Sequence, residues 1–189
     1  SNGLPGTPIF RMESSSPLLY ACALGNGIFI STDLGLNWTA ANSGLSSSTS
    51  SHRVIKAENG NVFTAGGTAA FNNPAFNYSS NFASSWTAYP LSYSIANSIE
   101  TYNNEVFVAI WGSSCIQKTS DNGANWTTQI QGVEDCFSFG TLLNHNLNLF
   151  AGQRAGGQAG CNHEPNGVFI YTGPTSVDDK FGNSTLIIH

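Results

Sequence analysis

Apolar residues in this chain gather in short strand-like runs that recur at a nearly constant interval. Four runs contain an aromatic residue followed by a small or β-branched one, at Tyr20-Ala21, Phe63-Thr64, Phe107-Val108 and Phe150-Ala151. The four aromatic residues are separated by 43, 44 and 43 positions. A regular period in this range is typical of an array of supersecondary units, and it fits the blades of a propeller.

Polar turns separate the runs within each unit. They include 58–61 (Glu-Asn-Gly-Asn) and 102–105 (Tyr-Asn-Asn-Glu), and Asn and Gly tolerate the positive φ of tight reversals. Helical spacing of apolar residues is not sustained anywhere along the chain. We therefore predict an all-β fold, a propeller-like array of four four-stranded antiparallel blades.

A second motif follows the third strand of each of the first three units. The pattern Ser/Thr-X-Asp-X-Gly-X-X-Trp is complete at 31–38 and 119–126, and 79–86 is a degenerate copy. It resembles the Asp-box, or bacterial neuraminidase repeat, of sialidase-like and sortilin-like propellers and of photosystem II assembly factors. The resemblance covers roughly residues 7–173, and the fourth unit lacks the box.

This resemblance implies hairpins with a structural role, away from any catalytic face. We expect the carboxylates to accept backbone N–H bonds, the glycines to supply positive φ, and the tryptophans to be buried where blades meet. The box positions are Ser31, Asp33, Gly35, Trp38, Asn81, Trp86, Thr119, Asp121, Gly123 and Trp126.

The repeat also predicts the domain limits. One domain spans 1–173, with blades at about 7–44, 52–90, 94–131 and 133–173, and 174–189 forms a linker and a terminal strand. That tail resembles the start of the sorting domain on cargo of the type IX secretion system of Bacteroidota. The alternative is that its apolar residues form the outer strand of the fourth blade or a closing strand on the first, and the two interpretations can both hold.

Charge narrows the classes of partner. Only 9% of residues are charged, against ~25% in typical soluble domains, and the net charge is −5. The absence of a basic run argues against nucleic acid, and the absence of a long apolar stretch argues against membrane insertion. The start of the sequence does not have the pattern of a signal peptide.

Cysteine use and low charge predict an extracellular or cell-surface location. The even number of cysteines allows two disulfides in three connectivities, among Cys22, Cys115, Cys136 and Cys161. Asn-X-Ser/Thr matches occur at Asn37, Asn77, Asn125 and Asn183, and chance explains most of them in a chain so rich in Asn and Ser.

Candidate ligand-binding residues lie in and beside the longer loops, 66–74, 112–114 and 152–166. They are Trp111, Arg154, His163 and Glu164. We expect no metal, no cofactor and no catalytic residues, since the chain has three arginines and no Phe-Arg-Ile-Pro motif for sialidase chemistry. The pair Glu134 and Asp135 is the carboxylate candidate for glycoside hydrolysis.

The sequence therefore predicts a non-enzymatic extracellular propeller in surface assembly or adhesion, self-associating into an oligomer or filament through strand edges. The alternative is a module that binds a glycan or a peptide, and a glycoside hydrolase ranks third.

Overall fold

The computed structural model describes residues 2–45, 52–66, 75–91, 95–111, 116–129, 138–154, 168–171 and 186–188. In these ranges the regular elements are strands, arranged in four four-stranded antiparallel sheets. The predicted fold class is confirmed. None of the described residues forms a helix long and apolar enough to cross a membrane.

Each sheet is a meander whose strands follow chain order. The first sheet contains β1 (Ile9–Ser15), β2 (Leu18–Ala23), β3 (Gly27–Ser31) and β4 (Thr39–Ala40), and the second β5 (His52–Glu58), β6 (Asn61–Gly66), β7 (Ala75–Ser79) and β8 (Thr87–Pro90). The third contains β9 (Ile95–Tyr102), β10 (Glu105–Trp111), β11 (Ile116–Thr119) and β12 (Thr127–Gln129), and the fourth β13 (Ser138–His145), β14 (Asn148–Arg154), β15 (Val168–Tyr171) and β16 (Leu186–Ile188).

The predicted turns join the first two strands of the second, third and fourth sheets. Both residues of each turn have positive φ, between 50° and 83°. Two successive left-handed residues give the tight reversal that matches strand twist, which is why Asn and Gly dominate there. These pairs are 59–60 (Asn-Gly), 103–104 (Asn-Asn) and 146–147 (Asn-Leu).

The chain divides into two compact units, Ser1–Ile99 and Glu100–His189, with the boundary inside β9. In the first unit, alternate residues of β2 enter two different apolar clusters. Tyr20 and Cys22 pack with residues of the second sheet, including Ile55, Val62 and Trp86. The opposite face of β2 contributes to a cluster of Ala21, Ala23, Phe29 and Trp38, lined by Leu4, Ile9 and Leu19. Strand β2 is therefore buried on both faces.

In the second unit, three aromatic side chains centre the core. Tyr102, Phe107 and Tyr171 meet edge to face, with ring centroids 5.2–6.2 Å apart. Such edge contacts add to the stabilisation from burial. The cluster also includes Ala109, Ile116, Phe139, Leu142, Leu149 and Ala151.

The terminal strand departs from the predicted domain limits. Strand β16 pairs with β15, Leu186 opposite Tyr171 and Ile188 opposite Phe169. The structure thus places it as the fourth strand of the fourth sheet, which was the alternative considered for the tail, and the limit at 173 divides one sheet. Each of the first three predicted blades encloses one complete sheet.

Cys22 is a free thiol in the structure, so its predicted role in a disulfide is wrong here. The side chain is fully buried, and that burial raises its pKa to about 12, although the Thr64 hydroxyl and Arg11 act in the opposite direction. A thiol this weakly acidic is a core residue rather than a reactive one. Cys115, Cys136 and Cys161 lie outside the described residues.

Two tyrosines make a matched test of buried polar groups. The Tyr20 hydroxyl is buried with no hydrogen-bond partner among the described residues, whereas the Tyr102 hydroxyl donates to the Leu147 carbonyl at 3.0 Å. Tyr20→Phe should raise the free energy of unfolding by about 1 kcal/mol, and Tyr102→Phe should lower it by about 1 kcal/mol. Urea unfolding measures both, and equal effects of the two changes would contradict this assignment.

Candidate functional site

The box at 31–38 is held together by its own side chains. The Ser31 hydroxyl accepts the Gly35 N–H at 2.8 Å and donates to Asp33 Oδ1 at 2.9 Å. Asp33 also accepts the Asn37 main-chain N–H at 2.8 Å and the Asn37 amide at 2.7 Å. The Trp38 indole donates to the Gly35 carbonyl at 3.1 Å. The predicted structural role of these residues follows from this closed circuit.

The box at 119–126 repeats the hydroxyl and carboxylate hydrogen bonds of this circuit. The Thr119 hydroxyl accepts the Gly123 N–H at 2.9 Å and donates to Asp121 Oδ1 at 2.8 Å. Asp121 accepts the Asn125 main-chain N–H at 2.8 Å and the Asn125 amide at 2.7 Å. Threonine thus replaces serine in the circuit.

The degenerate box at 79–86 keeps the circuit and reverses one hydrogen bond. Asn81 Oδ1 accepts the Ser85 main-chain N–H at 3.0 Å, while its amide nitrogen donates to the Ser85 hydroxyl at 2.9 Å. In the other two boxes the third residue is Asp, which only accepts, and the seventh residue is Asn, whose amide donates to it. Here the third residue is Asn, whose amide donates, and the seventh residue is Ser, whose hydroxyl accepts. The residue type at the seventh position therefore changes together with that at the third.

Left-handed backbone recurs at two positions of each box. Leu34, Phe82 and Asn122 occupy the fourth position with φ near 58°. The fifth position has φ of 85° at Gly35 and 103° at Gly123, as predicted, but alanine replaces glycine in the degenerate box, with φ of 63°. This conformation costs a residue with a Cβ ~1 kcal/mol or more.

Two of the three box tryptophans also anchor the segment that precedes their own sheet. The Trp38 N–H donates to the Asn2 carbonyl and the Trp86 N–H to the Ser43 carbonyl, both at 2.9 Å. The Trp86 indole donates to the Ala41 carbonyl at 2.7 Å. Glycine follows each acceptor residue, because a Cβ at Gly3 or Gly44 would overlap the tryptophan carbonyl oxygen.

The box carboxylates stay ionised well into the acid range. The Asn37 N–H and amide and the Ser31 hydroxyl lower the pKa of Asp33, and the Asn125 amide and N–H with the Thr119 hydroxyl lower that of Asp121 to about 2. Hydrogen bonds to the charged form cause both shifts. A carboxyl group this acidic holds no proton to donate near neutral pH, so neither aspartate fits a general acid.

A cavity of about 360 Å³ lies beside the first box. It is lined by Ile30, Asp33, Ala40, Ala41 and Ala83 and by hydroxyl and amide side chains. The polar lining residues are Thr32, Asn37, Thr39, Asn42, Ser43 and Ser84. No group of three or more His, Cys, Asp or Glu side chains suited to a metal occurs within the described part of the chain.

Bulges recur near the start of the first strand in three sheets. The register shifts by one residue at Phe10 in β1, at Arg53 in β5 and at Gly140 in β13. A bulge leaves its extra residue out of the ladder and turns the side chain in a new direction, and bulges are common beside functional sites. The same end of the second and fourth sheets leads into the predicted loops 66–74 and 152–166.

In the first unit, the two bulged residues meet. The Arg53 guanidinium carbon lies 5.1 Å from the centre of the Phe10 ring, within cation–π range. Phe10 is 40% exposed and Met12, two residues along β1, is 52% exposed. Arg11, between them, is also exposed. We call Phe10, Arg11 and Arg53 the bulge patch.

The sequence analysis did not identify this patch. A bulge is a property of two paired strands, so the spacing within β1 or β5 alone cannot reveal it. The available signal was Phe10 next to Arg11 in a strand otherwise rich in Ser and Glu.

The structure does not describe the side chains of the predicted ligand-binding residues. Arg154 ends β14 and pairs with Ser138, and Trp111 ends β10, so both are located only as backbone. His163 and Glu164, like the carboxylate pair Glu134 and Asp135, lie outside the described residues. Their roles stay predictions.

The Asn-X-Ser/Thr matches differ in whether the structure allows glycosylation. Asn77 is 0% exposed, so it cannot carry a glycan in the folded chain and that prediction is wrong. The exposed Asn37 and Asn125 use their amide nitrogens to bind the box aspartates. Asn183 lies outside the described residues.

Comparison with known proteins shows the fold alone. No protein-family model and no curated protein matches the chain. Among solved structures, YCF48 bound to D1 peptide shares 13% identity with a TM-score of 0.67, covering 100% of this chain and 57% of that one. This chain therefore spans a little over half the length of that protein.

Two other similar structures are a GH74 enzyme and a protein complex. The GH74 enzyme of Niastella koreensis gives 14% identity and a TM-score of 0.64 over 95% of this chain and 30% of its own. The nidogen/laminin complex gives 10% identity and a TM-score of 0.60, covering 85% of this chain and 57% of that one. These proteins are β-propellers, and the four sheets described above are of the β-propeller class.

The box aspartates make stability depend on pH in acid. An unfolded Asp titrates near pH 3.9, whereas folded Asp121 titrates at about 2. The stabilisation is therefore complete above about pH 4 and is lost as the pH falls towards 2. Asp121→Asn combined with Asn125→Ser, which copies the 79–86 box, should reduce the loss of stability across this window. Urea unfolding at a series of pH values measures it, and an unchanged slope would contradict the role of Asp121.

Glycine substitutions test the contact between the tryptophan and the preceding segment. Gly44 and Gly25 both have positive φ, but only at Gly44 does an added Cβ meet another atom, the Trp86 carbonyl oxygen. Gly25→Ala should cost about 1 kcal/mol from backbone strain alone, and Gly44→Ala should cost clearly more. Thermal unfolding compares the two, and equal losses would mean that the contact at Trp86 does not matter.

Proposed function

We propose that this chain is a non-enzymatic propeller that acts in assembly or adhesion outside the cell, by binding polypeptide partners that include further copies of itself. The bulge patch is the observation that carries the proposal. Phe and Arg side chains are among the types enriched in protein interfaces, and here the exposed Phe10 of β1 contacts Arg53 of β5.

Four of the six described carboxylates support a role without catalysis. Asp33 and Asp121 are held in their boxes by hydrogen bonds. Glu105 lies 2.9 Å from the Lys118 ammonium, and Glu13 lies 3.8 Å from that of Lys56. A general acid and base pair needs carboxyl groups facing a shared substrate, whereas these face their own structural partners.

The outer strands of the sheets support self-association. Strands β4, β8 and β12 stand at sheet edges and contain no charged residue. Charged residues on an edge strand oppose pairing with another chain, so these edges lack one common protection. They are two to four residues long, which limits each edge to a few hydrogen bonds. Assembly would therefore combine edges with a second contact such as the bulge patch.

The similar structures lend support of a general kind. YCF48 was solved with D1 peptide, and nidogen with laminin, so propellers of this type accept polypeptide partners. The Asp-box likeness is supported by the hydrogen-bond circuits of the boxes. The extracellular location and the likeness of 174–189 to a sorting domain stay predictions that rest on the sequence.

Glycan binding is the second candidate, because the cavity beside the first box is lined by hydroxyl and amide side chains. Such groups form hydrogen bonds with sugar hydroxyls, and a glycan array would test this function directly. Binding that survives Asn42→Ala and Ser84→Ala would exclude this cavity as its site.

Self-association is the direct test of the main proposal. Sedimentation velocity of the full chain should show a rise in sedimentation coefficient with concentration. Phe10→Ser should reduce that rise, because it removes exposed apolar area from the patch. Leu147→Ser, an equally polar change at a side chain that is 83% exposed in the second unit, is the matched control. A chain that stays monomeric at every concentration would contradict assembly.

A further inference from the structure

We propose that the bulge patch binds an extended polypeptide segment through an acidic side chain of that segment, with a neighbouring apolar side chain resting on Phe10. This inference rests on the proposed function, since it names the chemistry of the partner. It predicts a preference for Glu or Asp beside a large apolar residue.

Charge at the patch is positive in a chain that is negative as a whole. Arg11 and Arg53 are two of the three arginines, in a protein of net charge −5. Neither forms an ion pair among the described residues. The nearby Lys56 differs from them, because Glu13 lies 3.8 Å from its ammonium group. The uncompensated charge at this place therefore belongs to the two arginines.

The geometry of Arg53 suits a carboxylate. The guanidinium carbon of Arg53 lies over the Phe10 ring, 5.1 Å from its centre, and this cation–π contact uses none of the N–H donors of the guanidinium. The Nε–H is buried and has no acceptor among the described residues. A planar fork of donors matches the two oxygens of a carboxylate, and such charge-assisted pairs are the strong ones. An acidic side chain would supply acceptors that the fold does not.

The position of β1 favours an extended segment over a free anion. Strand β1 is the first strand of its sheet and has a hydrogen-bonded neighbour in that sheet on one side only. The backbone groups on its other side, together with side chains at alternate positions, are the contacts that an added strand uses. At the bulge, Phe10 stands outside the ladder and its ring lies beside Arg53 of β5. A small carboxylate would leave the apolar surface of Phe10 exposed.

The test is the binding of a labelled, end-blocked peptide with a glutamate on either side of a phenylalanine. Fluorescence anisotropy of this peptide is followed as the full chain is added, alongside a peptide in which both glutamates are glutamines. The glutamate peptide should bind at least about tenfold more tightly, the size expected when hydrogen bonds to a charged group are lost. Added salt should weaken the binding.

Variants of the protein locate the site. Arg53→Gln should weaken binding about tenfold, and Arg53→Lys, which keeps the charge but not the planar fork, should have an intermediate effect. Lys56→Gln is the matched control, because it makes the same charge change on the same strand at a side chain already paired with Glu13. Unchanged melting temperatures of the three variants show that the fold is intact.

Three results would overturn the inference. They are equal binding of the two peptides, no binding of either, or a loss with Lys56→Gln as large as that with Arg53→Gln. Sedimentation judges the proposed function separately, since it involves no added peptide. If the chain self-associates but does not bind the acidic peptide, the proposed function stands and this inference is wrong.

Discussion

The burial of the second strand on both faces in the first three sheets constrains this molecule more than any other feature. In the first sheet, Tyr20 and Cys22 point into one apolar cluster and Ala21 and Ala23 into another. In the third, all residues from 106 to 110 are buried. A sheet enclosed in this way offers partners only its edges, its loop ends and the residues that leave the regular ladder. Function in such a fold therefore depends on irregular positions, and the bulges are those positions.

The repeat carries most of what the sequence could predict. The recurring aromatic residues predict four sheets because each lies in a strand whose neighbours must bury it, and Tyr20, Phe63 and Phe107 are buried as expected. The box motif predicts its own geometry because the hydrogen bonds of its hydroxyl and carboxylate groups join residues at most four positions apart. Hydrogen bonds between nearby residues can be predicted from the sequence because the partners have a fixed spacing.

The candidate site was not predictable, for the opposite reason. Phe10 and Arg53 are 43 positions apart and meet only because two bulges reorient their side chains. The place of β16 in the fourth sheet depends likewise on a pairing with β15 that the repeat does not specify. The burial of Asn77 was missed because β7 is covered on the face where that side chain lies. Each miss concerns contacts between distant segments.

Hydrogen–deuterium exchange of the full chain, compared at low and high protein concentration, tests most directly whether the bulged ends of β1 and β5 form the contact surface. The account predicts that amides of 9–13 and 52–54 gain protection as the concentration rises, with little change in the buried strands β2 and β6. Protection gained elsewhere while these two segments exchange as before would contradict it.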